Sequence, residues 1–174
     1  MIEKLKLLIG RYILHKKLKK NEQISFNKFF TNADDYFIIL PEDDDSFRYS
    51  FIVIKYLFEQ KKNITLFVVD YRKSLILDSL KYHIISYENE NKNKLNLPKQ
   101  EIIEKIQPNQ YDILIDLNRG YNIFNCAVSM LVKAKYRVGF NKEYAELYYN
   151  FLIANDERNS EFSYKNLLNS LQMF

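Results

Sequence analysis

The chain of 174 residues contains one cysteine, two histidines, three glycines and three prolines. A single thiol, Cys126, rules out an internal disulfide and points to a reducing compartment, with the cytoplasm as the default setting. It falls inside a predicted helix with neither His15 nor His83 near it in sequence, so it reads as a buried structural thiol and not a nucleophile. Two histidines on different predicted elements support neither a zinc centre nor a hydrolase triad. The scarcity of glycine leaves no Walker loop and no GxGxxG, and Arg119-Gly120 follows a strand without a phosphate cradle around it. No cofactor and no metal are expected on these grounds. No apolar run approaches the roughly 20 residues of a membrane span, and the N-terminus has no signal-peptide cleavage pattern.

The composition is that of an ordinary globular chain, 47% hydrophobic and 28% charged with many Phe and Tyr, long enough for one domain with a real core and short for two. The net charge of +4 is unevenly placed. Residues 1–20 hold Lys4, Lys6, Arg11, Lys16, Lys17, Lys19 and Lys20 against Glu3, while Leu5, Leu8, Ile9, Tyr12, Ile13 and Leu14 recur at helical spacing. Such a basic amphipathic helix either docks on its own domain or lies on an anionic membrane surface. Nucleic acid is not expected, because the aromatic residues elsewhere sit in core-like periodic runs and are not interleaved with basic ones.

Periodicity predicts helix 2–19, a connector to residue 35, and strand 36–40. Helix 47–60, strand 64–69, a helix near 72–80 and strand 83–87 follow. After a polar loop at 88–96, a helix opens at Pro98 and runs to about Ile106. Strand 111–116, helix 122–134, strand 136–140 and helices near 142–153 and 161–172 complete the chain. Strands alternating with helices over short connections define an α/β fold: a single Rossmann-like doubly wound, mostly parallel sheet of about five strands spanning 36–174, preceded by a helix and connector at 1–35.

The order FIILPEDDDS, VIKYLFEQ, ITLFVVDYR, YDILIDLNRG and KAKYRVGF resembles the N-terminal domain of glycosyltransferase family nine, the heptosyltransferase-like enzymes of lipopolysaccharide assembly. The resemblance covers roughly residues 36–172 and is most specific over Tyr111–Phe140. It implies the acceptor-side half of a two-domain GT-B enzyme without the donor half. The chain is then a fragment, the acceptor-binding subunit of a split enzyme that needs a partner chain, or a module that has left catalysis. The acceptor would be an acidic glycolipid or a sugar, met in the cytoplasm or peripherally at the inner membrane through residues 1–20.

The resemblance places the family's Gly-Asp turn at Asp45-Ser46, with Ser46 at the base position; a one-residue slip makes Asp45 the general base for the acceptor hydroxyl. Asp43, Asp44 and Asp45 are also what N-capping and the helix dipole favour, and a third reading is cation binding. On that third reading Asp44, Asp45 and Asp116 also resemble the acidic constellation of a response-regulator receiver, although its order of elements does not fit. Asp70 and Asp116 end strands, where an open α/β sheet binds ligands, and where aspartates also cap turns. Arg48, Arg72, Lys73 and Arg119 lie near the same strand ends and suit phosphate or carboxylate groups of an acceptor. Gly139 and Phe140 read as packing positions.

Overall fold

Continuous apolar runs at Phe37–Leu40, Leu66–Val69 and Ile113–Ile115 are buried throughout, as parallel strands covered by helices on both faces must be. The computed structural model describes residues 9, 10, 12, 13, 24–77, 81–155 and 158–174. Six strands form one sheet: β1 (Asp35–Ile39), β2 (Asn63–Val69), β3 (His83–Tyr87), β4 (Gln110–Asp116), β5 (Lys133–Phe140) and β6 (Phe151–Ile153). All pair in parallel, in the order β3-β2-β1-β4-β5-β6. This is the doubly wound dinucleotide-type order, which reverses between β1 and β4, and it differs from the 2-1-3-4-5 order of receivers.

The pleat divides the core in two. Tyr36, Ile38, Leu40, Leu66, Val68, Ile113, Ile115 and Val138 face one layer, and Phe37, Ile39, Phe67, Val69, Ile85 and Leu114 the other. The first layer receives α2 (Asp44–Glu59), which buries Phe47, Ser50, Val53, Ile54 and Leu57 at helical spacing. It also receives α6 (Ser160–Gln172) through Tyr164, Leu167 and Leu171. Against the other layer lie α4 (Gln100–Ile106) and α5 (Ile123–Leu131), the latter buried at every position from Ile123 to Ser129. The α5 end is closed by Arg137 of β5, which donates to the carbonyls of Ser129 at 3.0 Å and Val132 at 3.1 Å.

Three segments depart from the periodicity. The helix expected over 142–153 is a 3₁₀ turn at Ala145–Leu147 followed by β6, because Phe151, Leu152 and Ile153 pair with Val138, Gly139 and Phe140 and complete the sheet. The helix expected near 72–80 is the single turn α3 (Asp70–Lys73); beyond it the chain passes into turns, with Ile76 in the core and Leu75 and Leu77 exposed. Positions 78–80 of that prediction lie outside the described residues, as does most of helix 2–19, although Ile9, Gly10, Tyr12 and Ile13 are helical. The connector is part of the core: it carries the short helix α1 (Phe29–Asn32), and the Phe29 ring lies 4.8 Å from Tyr136, 5.1 Å from Phe151 and 5.9 Å from Phe174. Among the described residues no helix is long and apolar enough to cross a membrane.

Gly139, paired with Asp116 in the ladder, has no room for a side chain: a Cβ there would lie 2.9 Å from two atoms of the buried Tyr149 ring. Gly139→Ala is expected to lower the urea midpoint by the equivalent of about 1–3 kcal/mol. Gly120→Ala, whose Cβ would meet nothing within 4 Å, is expected to change stability by less than about 0.5 kcal/mol in the same titration.

Candidate functional site

The reversal of strand order places a potential crevice beyond the carboxyl ends of β1 and β4. The group at its centre is Asp116, the last residue of β4 and fully buried. Its Oδ1 accepts from the Asn118 main-chain N–H at 3.0 Å and from Asn118 Nδ2 at 2.7 Å. Its Oδ2 accepts from Lys142 Nζ at 2.7 Å and from the Tyr149 hydroxyl. Lys142, itself 4% exposed in its side chain, also donates to the Asn118 carbonyl at 2.7 Å. Four donors thus surround one carboxylate, and no lone pair faces an open crevice. Burial, with the Asp116 carboxylate next, holds the Tyr149 hydroxyl well above the ordinary tyrosine pKa. The same two causes push the Cys126 thiol up to about 12, and Cys126 is buried beside the Tyr149 hydroxyl at 3.9 Å. The thiol is therefore protonated and inert as a nucleophile at neutral pH.

The acidic turn after β1 is equally occupied. Asp43 caps α2 by accepting from the Ser46 N–H at 2.8 Å. Asp44 accepts from Arg72 Nη2 at 2.6 Å, and Arg72 Nε donates to the Glu42 carbonyl at 3.0 Å. The Arg72 guanidinium also lies 4.7 Å over the Phe47 ring. Glu42 Oε1 accepts from the Tyr87 hydroxyl at 2.8 Å and lies 3.5 Å from Lys92 Nζ. One turn therefore ties together the ends of β1, β2 and β3. Asn118 Nδ2 extends the tie to β4 through the Leu40 carbonyl at 3.4 Å.

The predicted site residues separate into three groups. Asp44 and Arg72 meet, with Asp45 exposed on the first turn of α2 and holding no hydrogen bond or ion pair among the described residues. Ser46 is buried at the α2 start. Nearby, Tyr164 of α6 donates to the Leu117 carbonyl at 2.6 Å, so the first turns of α6 cover this side of the rim. Arg119 is turned toward α6, donating to Ser160 Oγ at 2.7 Å and Asn155 Oδ1 at 3.2 Å. Arg48 is exposed and donates to the Tyr49 hydroxyl at 2.6 Å, and Lys73 is exposed at the end of α3. Among the described residues, no three His, Cys, Asp or Glu side chains are grouped as ligands for a metal ion.

Sequence reading did not single out Lys142, Tyr149, Asn118 or Glu42. A lysine just past a strand looks like any solvated lysine until the fold aims it inward. Among the described residues, a hollow of about 390 Å³ opens at the rim beyond β2 and β3, lined by Asp70, Ser86, Tyr87, Glu88, Glu90, Asn91, Lys99, Glu101 and Lys105.

The fold and this rim define a doubly wound parallel α/β domain whose switch-point carboxylate is internally paired. The chain belongs to a family described as of unknown function, DUF6913, which matches residues 6–174. No curated protein and no solved structure matches it.

The Asp116–Lys142 pair is directly testable. Lys142→Met leaves a buried carboxylate without its cation and is expected to cost about 3–5 kcal/mol. Lys142→Met combined with Asp116→Asn removes both charges, and denaturant titration is expected to show it recovering part of that loss.

Proposed function

We propose that this chain is a non-catalytic binding module with a glycosyltransferase-like, acceptor-side fold, related to the heptosyltransferase-like enzymes, that takes a hydroxyl-rich sugar at its carboxyl rim. One observation carries the non-catalytic part: Asp116 is fully buried and saturated by Asn118, Lys142 and Tyr149, so the switch point holds no carboxylate ready to accept a substrate proton. Asp45, the other carboxylate suited to a base, is exposed on a helix surface and holds no hydrogen bond or ion pair among the described residues to orient it.

The sugar-binding part rests on the rim hollow beyond β2 and β3. Carboxylates, amide and ammonium groups of Asp70, Glu88, Asn91 and Lys99 there offer acceptors and donors of the kind hydroxyl groups use. Its lining sets Asp70, Glu88, Glu90 and Glu101 against Lys99 and Lys105, a balance that favours a neutral or amino sugar over an acidic head group.

Differential scanning fluorimetry with neutral hexoses, hexosamines, sugar phosphates and nucleotide sugars tests this. A hexose or hexosamine at about 100 times its Kd is expected to stabilise the fold by about 2.7 kcal/mol, with nucleotide sugars giving no shift. Asp70→Asn is expected to shrink that shift, and Asp45→Asn to leave it intact. Stabilisation by a nucleotide sugar that Asp45→Asn abolishes would replace this reading with the split-enzyme one.

A second reading concerns location and is favoured by the N-terminal helix. Gly10 is packed so closely that a Cβ would lie 2.9 Å from Ile123 Cδ1, while Ile9 is 44% and Tyr12 61% exposed. Apolar side chains directed outward within a strongly basic sequence suit peripheral contact with an anionic membrane. The chain is expected to co-sediment with vesicles containing about 30% phosphatidylglycerol, to be released by about 0.5 M salt, and to ignore pure phosphatidylcholine. Equal binding to both vesicles, or none, removes this reading.

A further inference from the structure

A second hollow, of about 330 Å³, lies between the N-terminal helix, the loop after β3, α4 and α5, and shares no lining residue with the rim hollow. Ile13, Leu95, Leu97, Ile103, Met130 and Leu131 line it. All but Leu97 are only half-buried, so the apolar core continues outward into an open concavity and does not end in polar surface. Contiguous apolar exposure is uncommon on a soluble domain and marks a place of contact. The volume falls within the range of about 300–1,000 Å³ that small-molecule pockets occupy.

The walls are held in place. Gly10 packs so closely that a Cβ would lie 2.9 Å from Ile123 Cδ1 and 3.3 Å from the Leu95 carbonyl oxygen, which fixes the stretch that carries Ile13. The loop closes on itself: the Asn93 N–H donates to the Leu97 carbonyl at 2.9 Å, and Asn93 Oδ1 accepts from the N–H groups of Leu95 at 2.8 Å and Leu97 at 3.0 Å. Asn93 is also the one polar residue lining the hollow, and among the described residues its Nδ2 donates to nothing. Lys94, exposed and without an ion pair among the described residues, stands between Asn93 and Leu95. The α4 acids on either side of Ile103 are already engaged, Glu101 by Asn91 at 2.9 Å and Glu104 by Gln100 at 3.0 Å. The loop end of the hollow is therefore its cationic end, and Ile13 itself belongs to the stretch of twenty residues that sets seven basic side chains against Glu3.

We propose that this hollow takes the hydrocarbon chain of a free fatty acid, with the carboxylate at the Asn93–Lys94 end. Apolar walls remove methylenes from water at a gain that grows with each one. One amide donor and one lysine offer a carboxylate a hydrogen bond and a counter-charge. A peptide segment would need partners for its main-chain groups along its whole length, and the hollow has a single donor to give. Its volume, at the lower end for ligand pockets, fits one chain and not the pair carried by a membrane phospholipid. The site is independent of the sugar reading and of vesicle binding, because the ligand arrives as a monomer from solution.

Isothermal titration calorimetry of the full chain with octanoate, decanoate, dodecanoate and tetradecanoate tests it, each below its critical micelle concentration and at low ionic strength. Affinity is expected to rise about fourfold per added methylene and to level off once the hollow is full, a plateau that adsorption to an open surface does not give. Decyltrimethylammonium, with the opposite head charge, is expected to bind at least about tenfold more weakly than decanoate. Lys94→Glu is expected to weaken decanoate about threefold. Met130→Trp fills the hollow from a half-exposed position and is expected to abolish binding, as is Ala127→Leu from its inner wall, with thermal melts confirming that each variant is folded. Absence of carboxylate binding overturns the proposal, as does an affinity that ignores chain length, equal binding of the ammonium compound, or binding that survives both filling variants. A chain that takes up no carboxylate but dimerises until Met130→Trp blocks it would give the hollow to a second copy, and overturns the proposal as well.

Discussion

A carboxylate with no access to solvent must be paired, and the pairing of Asp116 organises the carboxyl end of this sheet. Lys142 is drawn inward from the residues after β5, Tyr149 turns its hydroxyl toward the same oxygen, and Asn118 closes the loop after β4 onto the other. The need to seat Tyr149 there explains Gly139, whose missing side chain is the space the ring occupies. It also explains why Cys126 sits beside that hydroxyl, protonated and out of reach. Where many doubly wound domains leave a crevice for a ligand, this one holds its own ion pair.

The acidic turn after β1 works to the same end by different means. The first turn of α2 carries unpaired N–H groups and the positive end of the helix dipole, an arrangement that attracts phosphate in nucleotide-binding relatives of the fold. Here Asp43 accepts from one of those N–H groups, and Asp44 and Asp45 add negative charge to the same turn. An incoming phosphate would meet carboxylates where such folds usually offer glycine. The scarcity of glycine in the sequence and the chemistry of this turn therefore agree in setting negative charge where such folds usually hold a phosphate, and the proposal above places recognition at the neighbouring hollow beyond β2 and β3.

Much of this was legible from residue order alone. Strands β1 to β5 announce themselves as short runs of β-formers, and helices α2, α5 and α6 by spacing, with Asp43 readable as the cap of α2. What escaped depends on distant partners. β6 is three residues that look helical until β5 lies beside them, and the helix opened at Asp70 stops after one turn, with Ile76 reaching the core from the turns that follow. The site was harder for the same reason. Asp44 and Arg72 are separated by a helix and a strand, and Asp116 and Lys142 by a helix and a strand. Nothing local marks either pair, so individually plausible ligand residues such as Arg72 and Arg119 turn out to be engaged by Asp44 and Glu42, or by Asn155 and Ser160.

The central position of β1 has a consequence for how the polypeptide is made. Its neighbours are β2, soon after it, and β4, whose first residue lies about seventy positions downstream of Ile39, a wait of roughly 4–14 s at a ribosomal rate of about 5–20 residues per second. Through that interval Tyr36–Leu40 has one flank unpaired on an emerging chain, so nascent-chain quality depends on keeping this stretch from meeting its counterpart on an adjacent ribosome.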